Sequence, residues 1–409
     1  MFDLSGFKLL ITLEATEAMA LDRYAGSSLR GAIYEALLRR FCVRPQTPTC
    51  MCCPLNATCP VAGLVAPLRD EHPRGRDAPR PFVIAADPMA ALSYGEDRSG
   101  AAVESHGSEE ATAGAASRAE IRLEAGQTYT FAVTLFGNAV RYFPYLALSL
   151  PTVAALGIGR PLREHRGRRG RPQIARIEAV QPFSGEREAL YRAGEQAAEA
   201  PTLAITRTVV AARAAALPSD RLSVRFITPT RLVGAGRLLA RPDARTLILR
   251  LGERLEALEQ AYGQPYGQAP GRMYVLEDGE GEAAHERRRE RYLALERLAR
   301  DIQVVEDETR WVEVTSYSSR QRQSMPIGGF VGQATLEGDL GPLRELLVWG
   351  EVAHVGKNAV KGDGCLQVRL APAPPSSHRD GRAAMRADSA AARQKVVEKT
   401  EVVEIALGI

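Results

Sequence analysis

Strand-length apolar runs alternate with helix-length amphipathic segments, and the order is the same twice along 409 residues. Residues 7–13 are a short apolar run of buried-strand character. Ser27-Ser28 can then cap a helix in which Leu29, Ile33, Leu37 and Phe41 recur every four residues and share one face, with Arg30, Tyr34 and Arg39 off that stripe. Residues 82–84 and 129–136 read as strands, the latter with Phe131, Val133 and Leu135 alternating. Residues 138–156 read as an apolar helix in spite of Pro144 and Pro151, and 174–180 as a strand. After a break at 184–192 comes a strand at 222–227, ended by Thr228-Pro229-Thr230. Helices at 247–262 and 285–302 flank a loop at 265–281. Strands at 311–317 and 330–336, a helix at 343–349 and a last strand at 365–370 complete the series.

Strand, helix, strand, strand, helix, strand is the βαββαβ unit, and the chain carries it twice. The pattern predicts an α+β fold of tandem ferredoxin-like domains, each an antiparallel sheet of four strands with two helices on one face. No close sequence repeat accompanies the duplication. The expected division is 1–183, 184–370, and a linker and tail at 371–409. Residues 93–118, rich in Ser, Gly, Ala and Glu, read as a low-complexity insertion in the first domain.

Composition excludes some classes. Fifty-three Lys and Arg against 49 Asp and Glu give a net charge of +4, which is no acidic solvating chain, and by itself no argument for nucleic acid. No run approaches about 18 consecutive apolar residues, so no membrane span is expected. The first residues lack a basic stretch followed by an apolar one, so a cytoplasmic protein is expected. Five of the six cysteines fall between Cys42 and Cys59, too clustered for a disulfide scaffold.

Four constellations could carry chemistry. The run at 157–171 holds Arg160, Arg163, Arg166, Arg168, Arg169 and Arg171 with His165, opposed only by Glu164. Guanidinium groups bind phosphate bidentately and stack on bases, so the run is either a nucleic-acid contact or a solvated loop. The segment 350–364 carries Gly356, Lys357, Lys361, Gly362 and Gly364 after His354. It is no P-loop, because Asn358 stands where a Ser or Thr would hold magnesium and a helix precedes the loop. Its glycines and lysines suit an RNA phosphodiester, or simply a turn. Residues 316–324, including Arg320 and Arg322, followed by Gly328-Gly329-Phe330, suit polar RNA contacts or an exposed hairpin. Cys50-x-x-Cys53 with Cys42 and Cys59 has the spacing of a closed structural zinc site, the alternative being free thiols in a loop.

Taken in order, these segments resemble the CRISPR-associated precursor-RNA processing endoribonucleases of the RAMP superfamily, the Cas-six type. The resemblance is carried by Leu29-Arg30-Gly31-Ala32, the cysteine cluster, Leu135-Phe136-Gly137, Gly157-Ile158-Gly159, Phe226 through Thr230-Arg231-Leu232, Gly328 through Gly332, and His354-Val355-Gly356-Lys357. It implies tandem ferredoxin-like domains that bind CRISPR repeat RNA. It also implies metal-independent cleavage, in which a ribose 2′-hydroxyl attacks the adjacent phosphorus and leaves a 2′,3′-cyclic phosphate and a 5′-hydroxyl. No small-molecule cofactor is implied, and other subunits of a CRISPR interference complex are candidate partners.

Relatives often carry a histidine in the first helix, where this chain has Tyr34 and Glu35. His354 is therefore the expected proton-transfer group, with an ordinary pKa of ~6.5. Lys357 is expected to stabilise phosphate charge, and Tyr34 or Tyr24 to orient the 2′-hydroxyl or protonate the leaving oxygen. Arg30, Arg231, Arg320, Arg322, Lys361 and the six arginines of the 157–171 run are the expected RNA contacts, beside Gly356, Gly362 and Gly364. Two other readings stay open: a RAMP-type guide-RNA binder without catalysis, and a zinc-containing structural subunit.

Overall fold

The computed structural model of the protein describes residues 2–68, 78–86, 120–263, 280–318 and 323–372. The expected low-complexity insertion, the 265–279 loop, Arg320, Arg322 and almost all of the tail lie outside them. Both halves have the expected architecture.

In the first half, β1 (Gly6–Ala15) and β2 (Met19–Asp22) lead into α1 (Gly26–Phe41), followed by α2 (Pro60–Val65), β3 (Phe82–Ala85), β4 (Glu120–Leu123) and β5 (Thr128–Phe136). Then come α3 (Phe143–Leu156), a two-residue ladder of β6 (Pro161–Leu162) with β7 (Arg168–Arg169), β8 (Pro172–Val180) and β9 (Arg187–Arg192). The sheet order is β3-β5-β1-β8-β9, all pairs antiparallel. The first four strands have the ferredoxin-like order and β9 adds a fifth.

In the second half, α4 (Arg207–Ala215) precedes β10 (Arg221–Thr230), a short ladder of β11 (Val233–Gly234) with β12 (Arg237–Leu238), α5 (Ala244–Tyr262) and α6 (Glu280–Ala299). Next are β13 (Gln303–Asp307), β14 (Arg310–Val312), the hairpin of β15 (Thr315–Ser318) with β16 (Gln323–Pro326), β17 (Gly329–Glu337), α7 (Arg344–Ala353) and β18 (Leu366–Leu370). The order β13-β17-β10-β18 repeats that of the first sheet, with β14 also on β17.

The period-two pattern of β1 explains how the halves join. Leu9, Ile11 and Leu13 face the core shared with Leu29, Ile33 and Leu37 of α1 and Leu146, Leu150 and Val153 of α3. The opposite face is also buried. There Leu10 packs with Ala85, Ala132 and Val180 against Cys365 and Ile227 of the second half. Phe2, Leu4 and Phe136 join the second half's core around Trp349. Each such fully buried side chain is worth about 1.5–3 kcal/mol against exposure, so the halves are held by packing as well as by the chain.

Four local expectations are corrected. The segment after residue 184 is not a break but strand β9, whose pattern Arg-Glu-Ala-Leu-Tyr-Arg has only Leu190 buried, as suits an edge strand. Thr228-Pro229-Thr230 does not end β10. The strand runs on to Thr230 through a bulge that accommodates the proline's missing N–H. Ser27 and Ser28 do not cap α1, whose N-cap is Ala25; the Ser28 hydroxyl donates to the Ala25 carbonyl instead. The segment Gly137–Leu156 is long and apolar enough to cross a membrane by length and composition, contrary to the expectation of none. Phe143, Leu146, Leu150 and Val153 account for its apolarity, because they pack on the first sheet.

Candidate active site and nucleic-acid interface

The site forms where α1 of the first half meets the glycine-rich loop of the second. Gly26, the first residue of α1, lies so close to the loop that a Cβ there would fall 1.8 Å from the Lys361 carbonyl oxygen. The loop is pinned on its other side to β10. The Thr228 hydroxyl donates to the Gly362 carbonyl at 2.7 Å and accepts the Cys365 N–H at 2.9 Å, while Gly364 N–H donates to Pro229 O at 3.0 Å and Lys357 N–H to Arg231 O at 3.0 Å. Gly362 and Gly364 are buried, with φ of 95° and 69°; a Cβ on Gly362 would fall 2.6 Å from the Ile84 carbonyl oxygen of the first half and one on Gly364 1.8 Å from the Val355 carbonyl oxygen of the second, so both serve close backbone packing. The expectation that they let an RNA backbone approach is corrected on that ground. Gly356 is half-buried and Lys357 exposed on the same loop.

Three cations converge at this junction: Arg30 on the second turn of α1, Lys361 on the loop, and Arg80 just before β3. Burial, and then the neighbouring Arg80, bring the Arg30 guanidinium down to about 10. Burial, then Arg30 and Arg80, lower the Lys361 ammonium, against the opposing pull of Asp363. Each group is half-buried, and Arg80 disfavours the charged form of both Arg30 and Lys361. An anion placed among them would relieve that repulsion. Tyr34, one turn beyond Arg30 on the same face of α1, completes the group, its hydroxyl 3.8 Å from Cys50 Sγ. Arg80 also anchors its own segment, Nε donating to Val65 O at 2.8 Å.

The β15–β16 hairpin reaches the same place, since Ser316 Oγ and Ser27 Oγ are 2.6 Å apart. Arg231 is half-buried beside it, its Nη1 donating to Gly328 O at 2.9 Å. Tyr24, half-buried, precedes α1, with the Arg23 guanidinium carbon 5.6 Å from its ring centre.

The arginine-dense run is the β6–β7 hairpin, laid on β2. Arg160 N–H donates to Ala20 O at 2.7 Å, and His165 Nε2 lies 2.9 Å from Ala18 O. Arg160 itself is engaged by Asp22 and Glu120, and Glu164 pairs with Arg122 rather than with the run. Arg163, Arg166, Arg168, Arg169 and Arg171 are exposed. Gly26, which touches the loop, follows closely on Asp22, which holds the hairpin. A step of four positions spans at most about 14 Å, so the hairpin and the junction flank the same end of α1.

His354 does not join them. It terminates α7 with φ 59°, is 3% exposed, and hydrogen-bonds to the backbone of Asp363, while its Nδ1 has no partner. Burial, then the nearby Arg254 and Lys8 cations, depress its imidazole to about 3. A neutral ring sealed in the core cannot exchange a proton with RNA at neutral pH, so its expected proton-transfer role is corrected. Lys8, Glu351 and Arg254 belong to the same interior, with Glu351 Oε1 accepting the Val368 N–H at 2.6 Å.

The four cysteines of the expected metal set are gathered between α1 and α2, all as free thiols. Arg80 is the site residue that sequence reasoning missed. It lies in the Pro/Arg-rich stretch 73–81 of the sequence, which carries no site signal of its own, and the fold brings it to Arg30.

Residues 224–365 match the family described as CRISPR-associated endoribonuclease Cas6. Residues 4–203 match a family described as an N-terminal domain. No curated protein matches the chain. Among solved structures, a Cas6 product complex is similar at 19% identity and a TM-score of 0.44, covering 89% of this chain and 100% of that one. Cas6 of Thermus thermophilus is similar at 17% identity and a TM-score of 0.41, covering 90% and 99%. A partial complex of Cas6, RT, Cas1 and Cas2 is similar at 12% identity and a TM-score of 0.46, covering 90% of this chain and 46% of that one. The Cas6 match thus lies within the second ferredoxin-like half, from β10 to the residue before β18, and it is this half that is similar to the CRISPR-associated endoribonuclease family.

Proposed function

We propose that the protein cleaves precursor CRISPR RNA at one phosphodiester held between Arg30, Arg80 and Lys361, without a metal ion. The convergence of these three cations at the start of α1 carries the reading. A phosphate there accepts hydrogen bonds from all three side chains, and they are in place before the reaction begins. The ribose 2′-hydroxyl attacks the adjacent phosphorus in line with the departing 5′-oxygen. The new bond closes a 2′,3′-cyclic phosphate, and the P–O5′ bond breaks. Arg30 and Arg80 stabilise the charge that builds on the equatorial oxygens. Lys361, whose pKa is lowered by burial and by the two arginines, gives a proton to the 5′-oxygen, and solvent takes the proton of the 2′-hydroxyl. Tyr34 orients that hydroxyl. The exposed arginines of the β6–β7 hairpin hold the flanking RNA, which positions the scissile bond.

The test is incubation of the full chain with its repeat RNA in excess chelator. The expected products carry a cyclic phosphate and a 5′-hydroxyl, and a 2′-deoxy substitution at the cleaved nucleotide abolishes them. Cleavage that needs magnesium, or that survives the deoxy substitution, overturns the proposal. A second reading, RNA binding without cleavage, is favoured by one observation: no described histidine reaches the junction. Tight binding with intact RNA after prolonged incubation would establish it instead.

A further inference from the structure

Arg80 enters the junction from a stiff segment, and the second half of the protein holds one end of it. The sequence there is Ala78-Pro79-Arg80-Pro81-Phe82. Proline fixes φ at 79, and the residue before Pro81 is kept out of the helical region, so Arg80 has little backbone freedom of its own. Its place is then set by whatever anchors the segment. The Pro81 carbonyl accepts the Phe136 N–H of β5 at 2.8 Å, and Arg80 Nε donates to the carbonyl of Val65, at the end of α2, at 2.8 Å. Both ties lie within the first half. The third does not. The hydroxyl of Tyr262, the last residue of α5, donates to the Pro79 carbonyl at 2.5 Å across 183 positions of sequence.

Tyr262 is built into the contact between the halves. It is 7% exposed and shares a core with Phe2, Leu4, Val83 and Phe136 of the first half. Its backbone is seated on Gly137, where a Cβ would fall 1.8 Å from the Tyr262 carbonyl oxygen. Gly137 has φ 52°, so a side chain there would be strained as well as in collision. Phenylalanine would fill the same apolar space at 262. A buried tyrosine hydroxyl needs a partner besides, and its partner is the carbonyl of the residue before Arg80. With Arg80 Nε engaged by Val65, the terminal N–H groups of the guanidinium are those that can meet a phosphate.

We propose that Tyr262 is a positioning residue: its hydroxyl, reaching from the second half to the carbonyl before Arg80, holds that guanidinium in place beside Arg30 and Lys361. The inference rests on the proposed role of Arg80 in cleavage and adds a consequence to it. The phosphate site is complete only when the end of α5 is docked on the first half. A displacement of about 1 Å from a change far from the chemistry can cost on the order of a hundredfold in rate, so a single distant hydroxyl has leverage here.

The experiment is Tyr262→Phe in the full chain, which removes the hydroxyl and keeps the ring. With repeat RNA at saturation, single-turnover cleavage is expected to slow by about tenfold or more, with RNA affinity within about twofold of wild type. In the Arg80→Ala background the same substitution should change the rate by less than about twofold, because the group it positions is gone. A tyrosine that served packing alone would leave the rate of the folded variant unchanged, or would act equally in both backgrounds. A second readout needs no RNA. The chain has five lysines, Lys8, Lys357, Lys361, Lys395 and Lys399, so the Lys361 ammonium can be titrated by NMR on lysine-labelled protein. Burial lowers it most, then Arg30; Asp363 opposes, and Arg80 adds to the depression. Release of Arg80 should move that titration upward in Tyr262→Phe, as its removal does in Arg80→Ala, and the double variant should go no further than Arg80→Ala alone. If Arg80→Ala cleaves at the wild-type rate, the proposed function fails and the titration decides the inference by itself. An unmoved titration in Tyr262→Phe, an unchanged rate where Arg80→Ala is slow, or rate losses that multiply in the double variant overturns the proposal.

Discussion

The α1–loop junction and the β6–β7 hairpin both present arginine or lysine to the same end of α1, yet they are built differently. At the junction, Arg30, Arg80 and Lys361 are half-buried, mutually repelling and fixed by backbone contacts on both sides. On the hairpin, Arg163, Arg166, Arg168, Arg169 and Arg171 are exposed on a short ladder that ends in a turn, with Arg166 at φ 55° and Gly167 at φ 80°. A fixed, partly desolvated cation interacts strongly with charge that develops at one point. A solvated one adds affinity through counterion release and is screened by salt. The proposed function therefore assigns chemistry to the first region and capture to the second.

The contrast is most exposed to test at the junction. Arg30→Ala or Arg80→Ala removes a donor from the transition state, and cleavage at saturating RNA is expected to slow by about 10²–10³-fold. Single-turnover kinetics read this, and a loss confined to affinity would remove the residue from the chemistry. Next, neutralising Arg163, Arg166, Arg168 and Arg169 together should weaken binding by roughly tenfold or more at low salt. It should also flatten the plot of log affinity against log salt, by about 0.7 for each phosphate the hairpin no longer neutralises. An unchanged slope would show that the hairpin does not touch RNA.

Smaller effects mark the boundary between site and scaffold. Thr228→Val leaves the Gly362 carbonyl and the Cys365 N–H without their buried partner, and should cost about 1–3 kcal/mol in denaturant unfolding. Cleavage by the fraction that remains folded should be little changed. His354 contributes through pH. Its folded pKa lies near 3, below the ordinary value, so the unfolded chain binds the extra proton between those two values. Stability from this group is present above pH ~6.5 and is lost as pH falls toward 3. The variant His354→Gln should show a shallower loss of stability over that window, with its cleavage rate near wild type. A large rate loss in a folded variant would return His354 to the mechanism.

Much of the fold is legible in the residues alone. The four-residue spacing of Leu29, Ile33 and Leu37 marks the buried face of α1, and the repeated element order accounts for both sheets. What escapes such a reading is set by contacts between distant segments. His354 beside a glycine-rich loop has the look of a site, and only packing around Trp349 and Val355 reveals an interior position. The run of apolar residues on either side of it is the available signal. Arg80 offers none, because its role depends on β3 lying against the loop. Strand β9 is hidden by its polar edge pattern, and the β10 bulge by a proline that ordinarily stops a strand.

If catalysis resides in the buried cations and capture in the exposed ones, the two regions separate in a single assay. That assay is the first-order cleavage rate at saturating repeat RNA for Lys361→Ala against the four-arginine hairpin variant. The expected rate is lower by about a hundredfold or more for the first and near wild type for the second. Equal rates in the two variants, or the larger loss in the hairpin variant, would contradict the division of labour.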